Sequence, residues 1–145
     1  MITLKQAQVI VDHNDSFLTK IEEVNGFKVQ QFSYRLASFG DFNSPVPDSD
    51  LKGFELRGVS FLEDGQRFLM LNKFFNLNET EGWLLDQVKD KKIIRIQDKL
   101  DGSMIRFIRL PDGSVKAKTK YAFFSPQAEM ADSIYKNNSA IRDIS

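Results

Sequence analysis

Short runs of β-forming residues, each closed by turn residues, fill most of the chain and constrain its fold more than any other feature. Six runs have this character: residues 28–34, 54–62, 67–72, 91–97, 103–110 and 114–120. Asp64-Gly65 predicts a turn after the second run, and Pro111-Asp112-Gly113 predicts a hairpin turn between the last two. Because strands joined by tight turns pair antiparallel, the pattern predicts an antiparallel sheet.

Helix signals lie before, between and after these runs. Apolar residues at helical spacing predict a helix over residues 3–13, with Thr3 as its cap. Residues 81–90 are predicted to form a short helix, and Ser125-Pro126 is a strong helix start. Residues 40–50 contain two prolines and are predicted to form a loop. We therefore expect an α+β domain in which antiparallel sheet dominates and helices flank it.

Composition excludes several classes of protein. Of the 145 residues, 41% are hydrophobic and 28% are charged, which is typical of a globular domain. The chain has no cysteine, which excludes a disulfide scaffold, a thiolate zinc site and a cysteine nucleophile. Its single histidine, His13, excludes a His-rich metal cluster. No apolar run approaches the ~20 residues of a membrane helix, and we expect a soluble, cytoplasmic protein.

Charge is unevenly distributed along a chain whose formal net charge is zero. Ten Lys or Arg residues and four Asp residues lie between Lys89 and Lys120, which gives this stretch a local charge of +6. A basic stretch of this kind attracts phosphates. It is equally typical of a solvated basic hairpin, and charge alone leaves both interpretations open.

The most informative short motif is Lys99-Leu100-Asp101-Gly102-Ser103. It puts a lysine amine at the predicted end of a strand, beside a tight turn where glycine lets the backbone approach a ligand. Such an amine can attack phosphorus. The same residues also describe an ordinary β-turn with an exposed lysine, because Asp-Gly is a favoured turn sequence.

Further motifs extend this one into a family resemblance. The Lys99 motif resembles the nucleophile motif of covalent nucleotidyltransferases, which include ATP-dependent ligases and mRNA capping enzymes. Residues 72–79, Asn-Lys-Phe-Phe-Asn-Leu-Asn-Glu, resemble a segment of the RNA ligase 1 family of T4-like bacteriophages. Tyr34, Arg57-Gly58 and Lys118-Thr119-Lys120 occur in that family's order and at similar spacing. From about residue 30 onward, the chain is similar to the amino-terminal part of that family's adenylyltransferase domain.

The resemblance implies a nucleotidyltransferase fold and covalent chemistry with ATP. Lys99 would attack the α-phosphorus, expel pyrophosphate and carry AMP as a lysyl adenylate, on the way to joining an RNA 5′-phosphate to a 3′-hydroxyl. The implied ATP contacts are Tyr34, Arg57, Lys73, Phe75, Asp101, Gly102, Lys118 and Lys120. Mg²⁺ is the implied cofactor, with its ligands expected outside this segment.

Two of these assignments have open alternatives. Either Phe74 or Phe75 is implied at the nucleotide and Phe75 is preferred, but an aromatic residue in an apolar run is as often a core residue. Lys116, Lys118 and Lys120 alternate, so on a strand they share one face. That face is either the wall of a pocket or solvated surface.

The chain departs from the family pattern in the later motifs. A glutamate strand at the ribose, an acidic metal motif and a final Lys-x-Lys pair are not recognisable, and Lys118-Thr119-Lys120 lies too close to Lys99 to be that pair. We therefore expect residues 1–145 to be the amino-terminal portion of a truncated adenylyltransferase domain, weakly active or inactive alone. Unpaired strands would favour self-association or binding of a complementary carboxy-terminal chain.

Three functions follow from the sequence, in order of preference. The first is an ATP-dependent RNA ligase that acts in RNA and tRNA repair, in the cytoplasm of a phage-infected cell. The second is a catalytically incomplete module that binds nucleotide or RNA. The third is an mRNA capping guanylyltransferase, against which the Lys-Phe-Phe-Asn segment argues.

Overall fold

Five α-helices, one 3₁₀ turn and six strands make up residues 1–142, the part of the chain that the computed structural model describes. The helices are α1 (Leu4–His13), α2 (Phe39–Asn43), α3 (Leu85–Val88), α4 (Pro126–Asn137) and α5 (Ser139–Arg142), and the 3₁₀ turn is Gly53–Glu55. The strands are β1 (Phe17–Val24), β2 (Phe27–Tyr34), β3 (Ser60–Leu62), β4 (Arg67–Phe68), β5 (Arg106–Arg109) and β6 (Val115–Lys118).

Two antiparallel sheets contain these strands. The larger has the order β1-β2-β3-β4, and the smaller is the β5–β6 hairpin. Asn25 and Gly26 connect β1 to β2, and both have positive φ angles of 52° and 83°. An Asn-Gly pair in this conformation matches the twist of a two-residue hairpin, which explains the unbroken eight-residue pairing of β1 with β2.

Strand β2 packs through both of its faces. Side chains alternate along a strand, so Val29 and Phe32 point to opposite sides of the sheet. The Phe32 side carries a core shared with α1: Ile2, Ala7, Ile10, Phe17, Phe32, Phe42, Val46, Leu56, Val59 and Phe61. The Val29 side carries a second core shared with the hairpin: Val24, Val29, Leu62, Phe68, Ile108, Leu110 and Phe123. The sheet is thus covered on both sides.

Both predicted helix starts are confirmed. The Thr3 hydroxyl accepts a hydrogen bond from the Gln6 amide at 3.2 Å, while the Gln6 side chain accepts one from the Thr3 amide at 2.9 Å, which forms a capping box. The Ser125 hydroxyl accepts a bond from the Ala128 amide at 3.2 Å, and Pro126 occupies the first turn of α4.

Helix α4 is fastened to β6 by one buried carboxylate. Asp132 accepts a hydrogen bond from the Ala117 amide at 2.6 Å and forms an ion pair with Lys116. Asp132 and Ala117 are both buried. This contact fixes the hairpin against the helix that follows it.

Several boundaries differ from the sequence prediction. Strand β1 was not predicted, because Lys20, Glu22 and Glu23 interrupt its apolar pattern. Helix α2 occupies part of the predicted loop at residues 40–50, where Ser38 and Asp41 form a capping box. The predicted helix at residues 81–90 is reduced to α3.

The run at residues 54–62 was wrongly predicted as one strand. Only β3 is extended there, because the 3₁₀ turn comes first and Gly58 then adopts a φ of 106°. The run at residues 67–72 is similarly reduced to β4, whereas β5 and β6 lie inside their predicted runs with the predicted hairpin turn between them.

The prediction of a strand at residues 91–97 is contradicted. Every residue of this run is exposed, with 74%, 91% and 85% of the surfaces of Ile93, Ile94 and Ile96 open to solvent. A strand needs a hydrogen-bonded neighbour, and no strand of the described chain pairs with this run. The position of Lys99 at the end of a strand is therefore also wrong.

The fold class is confirmed at the level of a mixed α and β chain with antiparallel sheets and flanking helices. Of the helices between residues 1 and 142, none combines the length and the apolar composition that crossing a membrane requires.

We predict that Asp132→Ala destabilises the fold by about 2–4 kcal/mol, because it leaves the Ala117 amide and the Lys116 amine without their partner. Urea unfolding measures the loss. Glu129→Ala, an exposed change on the same helix, is the matched control and should cost less than about 0.5 kcal/mol. Equal losses for the two variants would contradict a structural role for Asp132.

Candidate functional site

The site begins with a tyrosine and a lysine from different sheets. Tyr34 ends β2, and Lys120 follows β6 by two residues. The Lys120 amine donates a hydrogen bond to the Tyr34 hydroxyl at 3.3 Å and lies 4.4 Å from the centre of its ring. On its other side, the Tyr34 ring packs edge-to-face on Phe42 at 4.9 Å, so the first core holds the phenol in place.

Arg57 is the second cation at this phenol. Burial raises the pKa of Tyr34, but hydrogen bonds and the positive charges of Lys120 and Arg57 outweigh burial and hold the pKa below its usual value. The Arg57 guanidinium also donates to the Asn72 carbonyl at 3.0 Å and lies 5.2 Å from the ring of half-exposed Phe74. Arg57 therefore connects Tyr34 to the segment that begins at Asn72.

An open cavity of about 430 Å³ lies against these cations. Its lining consists of Arg57, Gly102, Ser103, Met104, Thr119, Lys120 and Tyr121. Neither Arg57 nor Lys120 forms an ion pair with a carboxylate of residues 1–142. The cavity wall is therefore positive and lacks an internal counter-charge, which suits an anion.

Lys118 lies inside the fold rather than in the cavity wall. Only 1% of its surface is exposed, and its amine donates a hydrogen bond to the Gly58 carbonyl at 2.6 Å. Burial is the main cause that lowers the pKa of Lys118 to about 7, helped by the charges of Arg106 and Lys20 and opposed by Glu22. The Lys118 amine is therefore held by a backbone carbonyl of the protein itself.

The three alternating lysines of this region therefore occupy three different environments. Lys116 is paired with Asp132, Lys118 is buried against Gly58, and Lys120 reaches Tyr34. The lysine-lined face expected from the sequence is neither one pocket wall nor one solvated surface.

Lys73 and Phe75 belong to an aromatic cluster beside the cations. The Lys73 amine lies 4.9 Å from the Phe75 ring, which packs edge-to-face on Phe39 at 5.2 Å and on Phe54 at 5.8 Å. The Lys73 amide donates to the Phe54 carbonyl at 2.7 Å. Phe75 thus makes the packing contacts that the core alternative expects, and a nucleotide contact for Phe75 stays a prediction.

Lys99 and Asp101 are not brought into the cluster. Both side chains are exposed, and residues 89–105 contain no helix or strand. Lys99 forms no hydrogen bond or ion pair with any part of the chain that the structure describes. Gly102, three residues further on, has a φ of 146° and does line the cavity. The motif therefore borders the cavity through Gly102 and Ser103 and not through its lysine.

Two residues near the site were missed by the sequence analysis. Glu22 accepts a hydrogen bond from the Phe123 amide at 3.2 Å and pairs with Lys20 at 3.2 Å. Tyr121 lines the cavity and has the Lys20 amine 4.6 Å from its ring centre. Because Glu22 is 101 residues from Phe123, no local pattern could have revealed the contact.

The backbone of Gly58 lies next to Lys120, one of the two cations of the cavity. A Cβ at this position would lie 2.5 Å from the Lys120 carbonyl oxygen and 3.1 Å from the Met70 Cβ. Residue 58 also requires a φ of 106°, which side-chain-bearing residues rarely adopt. Both constraints restrict residue 58 to glycine.

We predict that Gly58→Ala costs about 2–4 kcal/mol of stability, because backbone strain of about 1–2 kcal/mol adds to the clash with Lys120. Gly26→Ala is the matched control, since Gly26 has a φ of 83° but open space around it. Chemical unfolding of both variants isolates the clash. A loss for Gly58→Ala no larger than that for Gly26→Ala would show that the contact with Lys120 is loose.

Comparison with known protein families gives one match, to a family model described as RNA ligase, over residues 55–144. The matched region contains Arg57, Lys73, Lys99, Lys118 and Lys120. No curated protein matches the chain. Because the model covers more than half of the sequence, the resemblance found in the motifs is confirmed, and the chain belongs to the RNA ligase family.

Proposed function

We propose that the chain is the nucleophile-bearing portion of an ATP-dependent RNA ligase with a nucleotidyltransferase fold. The observation that carries the proposal is the cavity in which Arg57 and Lys120 meet Gly102 of the lysine motif. Two cations without a carboxylate partner suit the phosphates of a nucleotide, and the motif that borders them contains the amine for covalent attack.

In the proposed first step, the Lys99 amine attacks the α-phosphorus of ATP. A phosphorus–nitrogen bond forms, the bond to the pyrophosphate oxygen breaks, and pyrophosphate leaves. Attack requires the neutral amine, which neighbouring positive charge favours. Arg57 and Lys120 would stabilise the charge that spreads over the phosphate oxygens, as guanidinium and ammonium groups do in phosphoryl transfer.

The remaining predicted contacts surround this reaction. Tyr34 would present its hydroxyl to the nucleotide between two cations, and Lys73 would contribute charge from the aromatic cluster. Asp101 and Gly102 would form the turn beside the phosphates, with Phe75 at the base or sugar. For Lys118 the family resemblance implies a phosphate-side contact, whereas its burial against the Gly58 carbonyl favours a role inside the fold.

RNA would enter in two later steps. AMP passes from Lys99 to the RNA 5′-phosphate, and attack of a 3′-hydroxyl on the activated phosphate then joins the ends and releases AMP. The positive stretch from Lys89 to Lys120 suits such a polyanion, and an RNA substrate is what the family implies. RNA and tRNA repair in a phage-infected cell is the setting proposed.

Mg²⁺ is proposed to enter bound to ATP and not to side chains of this chain. Within residues 1–142, no three His, Asp or Glu side chains converge on a point where they could hold a metal. In the proposed reaction Lys99 would attack ATP, and the other residues of this chain would bind and position it.

We predict that incubation with α-labelled ATP and Mg²⁺ leaves a weak label on the protein after denaturation, and that Lys99→Ala abolishes it because the attacking amine is gone. Lys92→Ala, an exposed lysine of the same segment, should leave the label unchanged. Addition of a chain that carries the later motifs should strengthen it.

Parallel incubation with α-labelled GTP separates the alternatives. Labelling by GTP but not ATP would favour mRNA capping chemistry and overturn the ligase proposal. Absence of label from both nucleotides, even with the later motifs supplied, would favour the alternative of a module that binds nucleotide or RNA without covalent chemistry.

A second candidate function is assembly, favoured by the exposed apolar run at residues 91–97. Ile93, Ile94 and Ile96 are at least 74% exposed, and a strand-forming run in this state can pair with a strand from another chain. Residues 89–99 contain five cations and two aspartates, so an acidic strand complements them better than a second copy does. We propose that a complementary acidic chain pairs here.

We predict that the double variant Ile94→Gln, Ile96→Gln lowers the fluorescence of a hydrophobic dye bound to the protein, because it removes the two most exposed isoleucine side chains of the described chain. Ile21→Gln, an exposed isoleucine on β1, is the control and should lower it less. Light scattering of the wild type is expected to show a monomer in the absence of the partner, and a stable dimer would instead favour self-association.

A further inference from the structure

The buried amine of Lys118 donates a hydrogen bond to a backbone carbonyl and does not line the cavity. Its hydrogen bond to the Gly58 carbonyl is 2.6 Å long and joins residues 60 positions apart. Only 1% of Lys118 is exposed, and the Phe123 ring lies 5.9 Å from the amine. A charged donor on a carbonyl away from water forms a strong bond, so this contact is a structural tie between β6 and the segment at Gly58.

The segment at Gly58, which Lys118 ties to β6, is also held by two other contacts. The Gly58 amide donates to the Phe32 carbonyl at 2.9 Å, which fixes it to β2. The missing side chain of Gly58 lets the Lys120 backbone approach closely from the other side. Arg57 is covalently next to this point, so its backbone position follows from the contacts of Gly58.

We infer that Lys118 is a positioning residue, whose bond to the Gly58 carbonyl holds the Arg57 guanidinium beside the Tyr34 hydroxyl. Lys118 thereby shapes the cation pair of the cavity without lining it. This differs from the direct phosphate contact that the family resemblance implies for Lys118, and the two roles predict different measurements.

The charges around Lys118 are consistent with a tie. The groups that act on its amine are Arg106 and Lys20, which repel it, and Glu22, which attracts it. Burial and repulsion lower its pKa to about 7, but ammonium and neutral amine both carry N–H donors. The bond to Gly58 is therefore available on both sides of the titration.

Tyr34 provides a readout that does not depend on ATP. The cations that lower its pKa are Lys120 and Arg57, and Lys118 is not among them. If Lys118 holds Arg57 in place, its removal should raise the pKa of Tyr34 by displacing that guanidinium. Methionine is close to lysine in shape and carries no charge, so Lys118→Met fits the buried site.

The experiment is a double-mutant cycle read by NMR titration of the tyrosine ring carbons in wild type, Lys118→Met, Arg57→Met and the combined variant. We expect Lys118→Met to shift the Tyr34 midpoint upward, and to add nothing in the Arg57→Met background. Arg106→Met is the control, because Arg106 is the cross-strand neighbour of Lys118 but has no bond to Gly58. It should leave the midpoint in place.

Two results would overturn the inference. One is an unmoved Tyr34 midpoint in a folded Lys118→Met protein. The other is an equal upward shift in both backgrounds, which would trace the effect to Lys120 rather than Arg57.

A second measurement uses the wild type, and this one rests on the proposed function because it needs ATP to bind. We expect ATP to leave the amine resonance of Lys118 and its titration unchanged, whereas a direct phosphate contact would raise the Lys118 midpoint by about 1–3 pH units. Arg57→Met should weaken ATP binding roughly tenfold. Absence of ATP binding would count against the proposed function alone, since the Tyr34 cycle tests Lys118 without nucleotide.

Discussion

The packing of β2 on both faces and both edges is the constraint on which the rest of the molecule depends. Strand β1 pairs along one edge and β3 along the other, while the α1 core and the hairpin core cover the two faces. A strand held in four directions has one register only, since a shift by one residue would exchange its apolar and polar faces. Tyr34 ends this strand, so the packing of the whole sheet determines where the phenol lies.

The site built at this end concentrates positive charge in a small volume. Arg57 and Lys120 both act on the Tyr34 phenol, and neither is paired with a carboxylate in the described chain. Like charges at close range cost free energy that the cores must offset. A fold tolerates this cost where a bound anion later removes it, which is why charge of this kind marks a binding site better than it marks a source of stability.

The sequence predicted those parts of the fold whose causes are local. Thr3 and Ser125 cap their helices because each hydroxyl accepts a hydrogen bond from an amide only three residues further along the chain. The buried contact of Lys118 could not be predicted, because its partner, the Gly58 carbonyl, is 60 residues away.

The run at residues 91–97 shows that a local preference can also be misleading. Its residues favour a strand, but a strand forms only where a neighbouring strand supplies hydrogen bonds. Arg57 and Lys120, which the motif order implies as nucleotide contacts, line one cavity, although nothing in their spacing could define the Tyr34 contact. Family resemblance thus selected the candidate residues, and tertiary packing determined what each of their side chains contacts.

The carboxylate of Asp132 has a further consequence for the hairpin. A two-stranded sheet has two outer edges, and each exposes amides and carbonyls to which a foreign strand can add. By accepting the Ala117 amide, Asp132 occupies the outer edge of β6, so the helix protects that side from strand addition. Within residues 1–142, β5 pairs only with β6. Strand addition along β6 is therefore blocked at Ala117, whose amide is already bonded to the helix.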